Sequence, residues 1–217
     1  MSGRDTILTR VRQALSDVPA DETPGDVAVP REYRRSSDGG RDDVVDLFAT
    51  NVRDYGATVH RVNPDALPRT VHEICRERGV RTMVTAPGFP EQLVTGAGVV
   101  LMRDDSPMSP SSLERADGVA TNAALGIAET GTIVLVSGSG MGRRAISLVP
   151  DVHVCVIDEN QVVATVPEAM DALATSATRP ITFVSGGSAT SDIELVRVEG
   201  VHGPRVLHVV LVTSDTA

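Results

Sequence analysis

Apolar and polar positions alternate along this chain with two different periods. Between Asp5 and Ser16, Ile7, Leu8, Val11, Ala14 and Leu15 recur at helical spacing, with Arg4, Arg10, Arg12 and Gln13 on the other face. This predicts an amphipathic N-terminal helix. From residue 17 to 43 the pattern dissolves into Pro, Gly, Asp and Ser, as expected of an extended linker. We therefore expect an arm over residues 1–42 and a main domain over residues 43–217.

The main domain opens with a helical stripe, Val44, Val45, Leu47, Phe48, Val52 and Tyr55, that stops at Gly56. Thr58–Val62 reads as a strand. Asn63-Pro64-Asp65 then starts a helix through Leu67, Val71, Ile74 and Cys75, closed by Gly79, and Thr82–Thr85 is a short buried strand. Further strands are expected at Val99–Met102, within Gly118–Ala128, and at Thr132–Val136, Val152–Ile157, Ile181–Ser185 and Val206–Val212. Ser106–Ser112 reads as a loop leading into a short helix at Leu113–Ala116. Thr165-Val166-Pro167-Glu168 has capping-box spacing, with Pro at the first helical position of a helix through Leu173. Alternating helix and strand predicts an α/β fold with an open, largely parallel sheet.

Composition narrows what such a domain does. Aromatic residues are 2% of the chain, so Val, Ile, Leu and Ala must fill the core. The net charge of −9 argues against nucleic acid. All 20 basic residues are arginines, so no lysine is available for a Schiff base, and an anion must be held by Arg, amides or hydroxyls. Cys75 and Cys155 are far apart and show no metal-ligand spacing, so they are expected to fill core positions, with neither a metal nor an iron–sulfur cluster in this chain. No leader-like or membrane-spanning apolar run is visible, which leads us to expect a cytoplasmic protein.

Candidate chemistry sits in three late turns. Glu129, between Ile127-Ala128 and Thr130-Gly131, is either a base, a fixed carboxylate, or a residue that ties a hairpin back on itself. In Ser137–Arg144, amides, hydroxyls and the guanidinium groups of Arg143 and Arg144 are candidates for holding a carboxylate or phosphate, although the glycine spacing misses the dinucleotide fingerprint. In Ser185–Glu194, Ser191 and Glu194 have the spacing of a helix cap, and Ser188, Thr190, Asp192 and Glu194 are candidate binding residues; simple capping is the alternative. His202, in Gly200–Pro204, is a candidate acid or ligand, or a structural turn residue.

The blocks IAETGT at Ile127–Thr132, GMGRR and LVPDVHVCV within Gly140–Val156, SATSDIE at Ser188–Glu194 and GVHGPRVLHVVL at Gly200–Leu211 resemble the LutC/LldG lactate-utilization, or LUD-domain, family. The resemblance implies a three-layer fold like that of ribose-5-phosphate isomerase, glucosamine-6-phosphate deaminase and the CoA transferases, preceded by a helical arm. It also implies a role in oxidising L-lactate to pyruvate beside two partner subunits that carry iron–sulfur clusters, with no cofactor in this chain. Ala124 stands where many relatives carry Asp, and Gly187 where many carry Pro. Three functions remain open: a complex subunit that binds a small carboxylate, an independent isomerase- or CoA-transferase-like enzyme using Glu129, and a non-catalytic assembly module.

Overall fold

The computed structural model describes the chain except residues 1–2, 20, 24, 27, 31, 191–197, 200–202 and 215–217. The helix cap read at Ser191 lies outside the described residues. Two compact units are present, Met1–Arg34 and Arg35–Ala217. The first contains helix α1, Gly3–Ala14.

The second unit runs α2 (Arg41–Asp54), β1 (Thr58–Val62), α3 (Leu67–Glu77), β2 (Thr82–Thr85), α4 (Gln92–Thr95), β3 (Val100–Arg103), α5 (Pro110–Leu113), β4 (Gly118–Asn122), β5 (Leu125–Ile127) and β6 (Thr132–Val136). It continues with β7 (Val152–Asp158), β8 (Val162–Val163), α6 (Val166–Leu173), β9 (Ile181–Val184), β10 (Ala189–Thr190), β11 (Val198–Glu199) and β12 (Val206–Val212). Six strands form the main sheet in the order β1-β12-β7-β4-β2-β3, and all of its pairings are parallel. This is the α/β, largely parallel architecture that alternating elements predict. A second sheet, β8-β5-β6-β9, is mixed.

Two sequence expectations need correction. The strand expected within Gly118–Ala128 is two strands, β4 and β5, and the chain crosses between the sheets at their junction, because the Ala123 N–H donates to Val156 O of β7 and the next amide, Ala124 N–H, donates to Val134 O of β6. The short helix expected at Leu113–Ala116 lies a turn earlier, at Pro110–Leu113, because the Ser109 hydroxyl accepts from Ser112 N and Pro110 is pre-set for a first turn. A smaller shift concerns α6, where the Thr165 cap places Val166 first and Pro167 second.

Period-two alternation gives each face of the main sheet its own core. Met83, Ala120, Val154, Val156, Val210 and Val212 face α3 and α4. Cys155, Ile157, Val209 and Leu211 point the other way and meet Phe48 and Val52 of α2 and Ile133 and Leu135 of β6. That second layer lies between the two sheets. Close approach there depends on glycine: at Gly131, φ is 57° and a Cβ would come 2.6 Å from the Asn51 carbonyl carbon in α2.

Phe48 is fully buried in this aliphatic layer, in a chain with few aromatic residues. Phe48→Ala should lower unfolding free energy by about 3–5 kcal/mol, read as a lower urea midpoint with an unchanged slope.

Candidate functional site

The loop Ser137–Gly142 lies across the carboxyl ends of β2 and β4. Gly140 N–H donates to Pro87 O at 2.8 Å, and Asn122 N–H donates to Gly140 O at 2.9 Å. Gly140 must be glycine, since its φ is 74° and a Cβ would stand 2.7 Å from Asn122 Nδ2. The amides expected to hold an anion are engaged otherwise: Gly138 N–H donates to Gly142 O, and Met141 and Gly142 N–H both donate to Gly138 O. A tight turn thus uses its own donors.

Arg143 does not join Arg144 on one ligand. Its Nε and Nη2 clasp the two oxygens of Asp104 at 2.8 and 3.0 Å, and Nη2 also donates to Met108 O. Burial pushes the Asp104 carboxyl up, but Arg143 and the Met108 N–H outweigh it and hold the group below the usual carboxylate range. This pair, with a buried Asp104 and a half-buried Arg143, ties the segment after β6 to the end of β3.

Glu129 occupies the turn between β5 and β6. Its Oε1 accepts from Val166 N, the first residue of α6, at 2.8 Å, while Thr165 and Glu168 form the capping box beside it. The carboxylate is therefore seated on a helix N-terminus. From the same turn, Thr130 Oγ1 bonds Thr132 Oγ1 at 2.7 Å, and Thr132 Oγ1 bonds Ser185 Oγ at 2.8 Å. A chain of hydroxyls thus connects the IAETGT block to the Ser185 loop.

Ser185 opens onto a pocket of about 280 Å³ near the amino ends of β7 and β12. Arg144 and Ser147 border one side, Ser185, Gly187 and Ser188 another, and His153 lies at its base. Ser188 N–H donates to Pro204 O at 2.8 Å, which brings Gly203 and Pro204 alongside. Among the described residues, no carboxylate pairs with Arg144. One exposed guanidinium and several hydroxyls in a concave site suit a small anion. Of the predicted site residues, Arg144 and Ser188 meet here, and neither Glu129 nor Arg143 lines the pocket. Thr190 belongs to β10, whose side chains are not described, and Asp192, Glu194 and His202 lie outside the described residues. Among the described residues, no group of three or more His, Cys, Asp or Glu is placed to hold a metal ion.

A family model described as the LUD domain matches residues 45–212. The chain belongs to the LUD-domain family. A protein named Lactate utilization protein C from Deinococcus radiodurans is 45% identical over 95% of this chain and 93% of its own length. Another of that name, from Halalkalibacterium halodurans, is 28% identical over 93% of this chain and 94% of its own. The crystal structure of a DUF162 family protein from Deinococcus radiodurans superposes with a TM-score of 0.69 at 38% identity, covering 80% of this chain and 99% of that one.

Within this LUD domain, His153, Ser147 and Asp104 take positions that no sequence spacing singles out. The alternation in VHVCVID marks His153 as an inward residue, but only the tertiary fold sets it beneath a pocket. It is fully buried, and its Nε2 bonds Thr121 Oγ1 at 2.8 Å. Burial lowers its pKa to about 4. His208 is likewise lowered to about 4, by burial and then by Arg78 and His60. Arg78 Nε donates to His208 Nε2, so the neutral ring carries its proton on Nδ1 and directs it at His60 Nε2, 3.0 Å away. Burial raises both thiols, Cys155 to about 12, which leaves them unreactive packing groups.

Both histidines are neutral in the folded state and titrate near 6.5 once unfolded. Their stabilisation is complete above pH 6.5 and is lost as pH falls toward about 4, because the unfolded chain binds the extra protons. For His153 the loss reaches about 3 kcal/mol, with a smaller addition from His208. Urea midpoints should fall across that window, and His153→Asn should flatten the fall.

Proposed function

We propose that this protein is the C component of a lactate-utilization system and holds a small monocarboxylate, lactate or pyruvate, on Arg144 in the pocket between the sheets. The reading is carried by that pocket: an exposed arginine ringed by Ser147, Ser185 and Ser188 above a neutral His153. The names of relatives that align over nearly the whole chain support the pathway.

Oxidation of L-lactate to pyruvate removes two electrons and two protons. On this reading the electrons pass to iron–sulfur clusters in two partner subunits, and this chain, without a cofactor of its own, binds the acid or holds the complex together. We place that role in the cytoplasm, in keeping with the two buried free thiols. No helix among the described residues is long and apolar enough to cross a membrane. An isomerase- or CoA-transferase-like reaction on Glu129 has less support, because that carboxylate is bonded to Val166 N and does not line the pocket.

Pyruvate at about 100 times its Kd should stabilise the native chain by roughly 2.7 kcal/mol. Thermal shift measures this directly. Arg144→Gln should abolish the shift while leaving the melting temperature without ligand within about 2 °C, as expected of a surface substitution. A shift that survives the substitution would overturn the assignment of Arg144.

A further inference from the structure

The carboxyl edge of the main sheet carries a second, chemically different recess. β2 is followed by β3 on one side, whereas β4, β7 and β12 are added on the other, so the order of winding switches between the parallel strands β2 and β4. Crevices at such switch points are where open parallel sheets bind ligands. The Gly140 bridge spans this switch point, and beside it is a recess of about 420 Å³.

Four adjacent strands deliver a polar row to this edge. Thr85, Asn122, Asp158 and Ser214 each come two residues after Met83, Ala120, Val156 and Val212, which face α3 and α4. Alternation puts Thr85, Asn122 and Asp158 on that same face, with Ser214 just past the end of β12. The pairings Thr85 with Ala120, Asn122 with Val156 and Val212 with Asp158 set the row on a diagonal. The hydroxyls of Thr85 and Ser214 are buried with no hydrogen-bond partner among the described residues, and Thr85 is only 1% exposed. These two hydroxyls flank the recess at the ends of the row and do not line it, so the groups that face a ligand are those of Asn122, Asp158 and Ser139.

Asn122 and Asp158 line the recess together with Ser139, while Pro64, Leu93 and Met141 supply apolar walls. Among the described residues, no arginine lines it. An apolar slot suits a planar ring, a side-chain amide matches the donor–acceptor edge of adenine, and the Asp158 carboxylate with the Ser139 hydroxyl suits a ribose. We propose that this edge binds a purine nucleoside moiety, recognised through Asn122 and without a phosphate subsite. The site is separate from the Arg144 pocket. His153 and Asp158 mark the two ends of β7, roughly 16 Å apart at the usual strand rise. The inference therefore does not depend on the carboxylate reading.

Titration calorimetry of the full chain with adenosine and with AMP tests it. Adenosine should bind, AMP should bind no more tightly, and Asn122→Asp, which replaces the amide donor with an acceptor, should weaken adenosine by roughly tenfold or more. Arg144→Gln should leave adenosine binding unchanged. In the native chain, adenosine should shift the NMR amide signals of Asn122, Ser139 and Asp158, a readout that does not depend on any variant folding. No binding at about 1 mM adenosine, which corresponds to only marginal affinity, would overturn the proposal. So would tighter binding of AMP, or NMR shifts confined to Arg144 and Ser185–Ser188.

Discussion

The aliphatic layer between the two sheets is the constraint on which the rest of the structure depends. Phe48 and Val52 of α2 close against Cys155, Ile157, Val209 and Leu211 on one side and Ile133 and Leu135 on the other. With almost no aromatic volume available, this layer holds its density through β-branched residues and through glycines that let backbones approach. Once the two sheets are locked together, their opposite ends become separate rims. Adjacent arginines then receive different tasks: Arg143 is consumed by Asp104 at one rim, and Arg144 reaches the pocket at the other.

That separation also explains the division of chemistry. At the amino ends of β7 and β12, an exposed guanidinium, serine hydroxyls and a neutral histidine meet around a small cavity. At the carboxyl edge, Asn122, Asp158 and Ser139 share a recess with apolar side chains, and no arginine among the described residues lines it. Charge that is already paired, as in the Arg143–Asp104 clasp, stabilises the loop but is unavailable to a ligand.

Much of the fold was legible because local signals agreed with tertiary demand. Thr58–Val62, Thr82–Thr85, Thr132–Val136 and Val206–Val212 are strands at the positions their apolar runs predict, and Gly56 and Gly79 end the helices before them with positive φ. The crossing at Ala123-Ala124 was not legible, since nothing in two alanines says that one amide serves β7 and the next β6. The site was readable only by halves. Glycine and serine after a strand marked Ser137–Arg144 and Ser185–Ser188 as loops, but spacing carries no information about which donors the loop uses internally. Asp104 and His153, distant in sequence, decide which arginine is engaged and what lies beneath the pocket.

An amide NMR map of the native chain titrated with pyruvate locates the anion directly. With pyruvate seated on Arg144, shifts should concentrate at Arg144, Ser147 and Ser185–Ser188, with little change at Glu129 or Arg143. Shifts centred on Glu129 and Val166, with Arg144 and Ser188 unmoved, would contradict that placement and relocate the anion to the turn between β5 and β6.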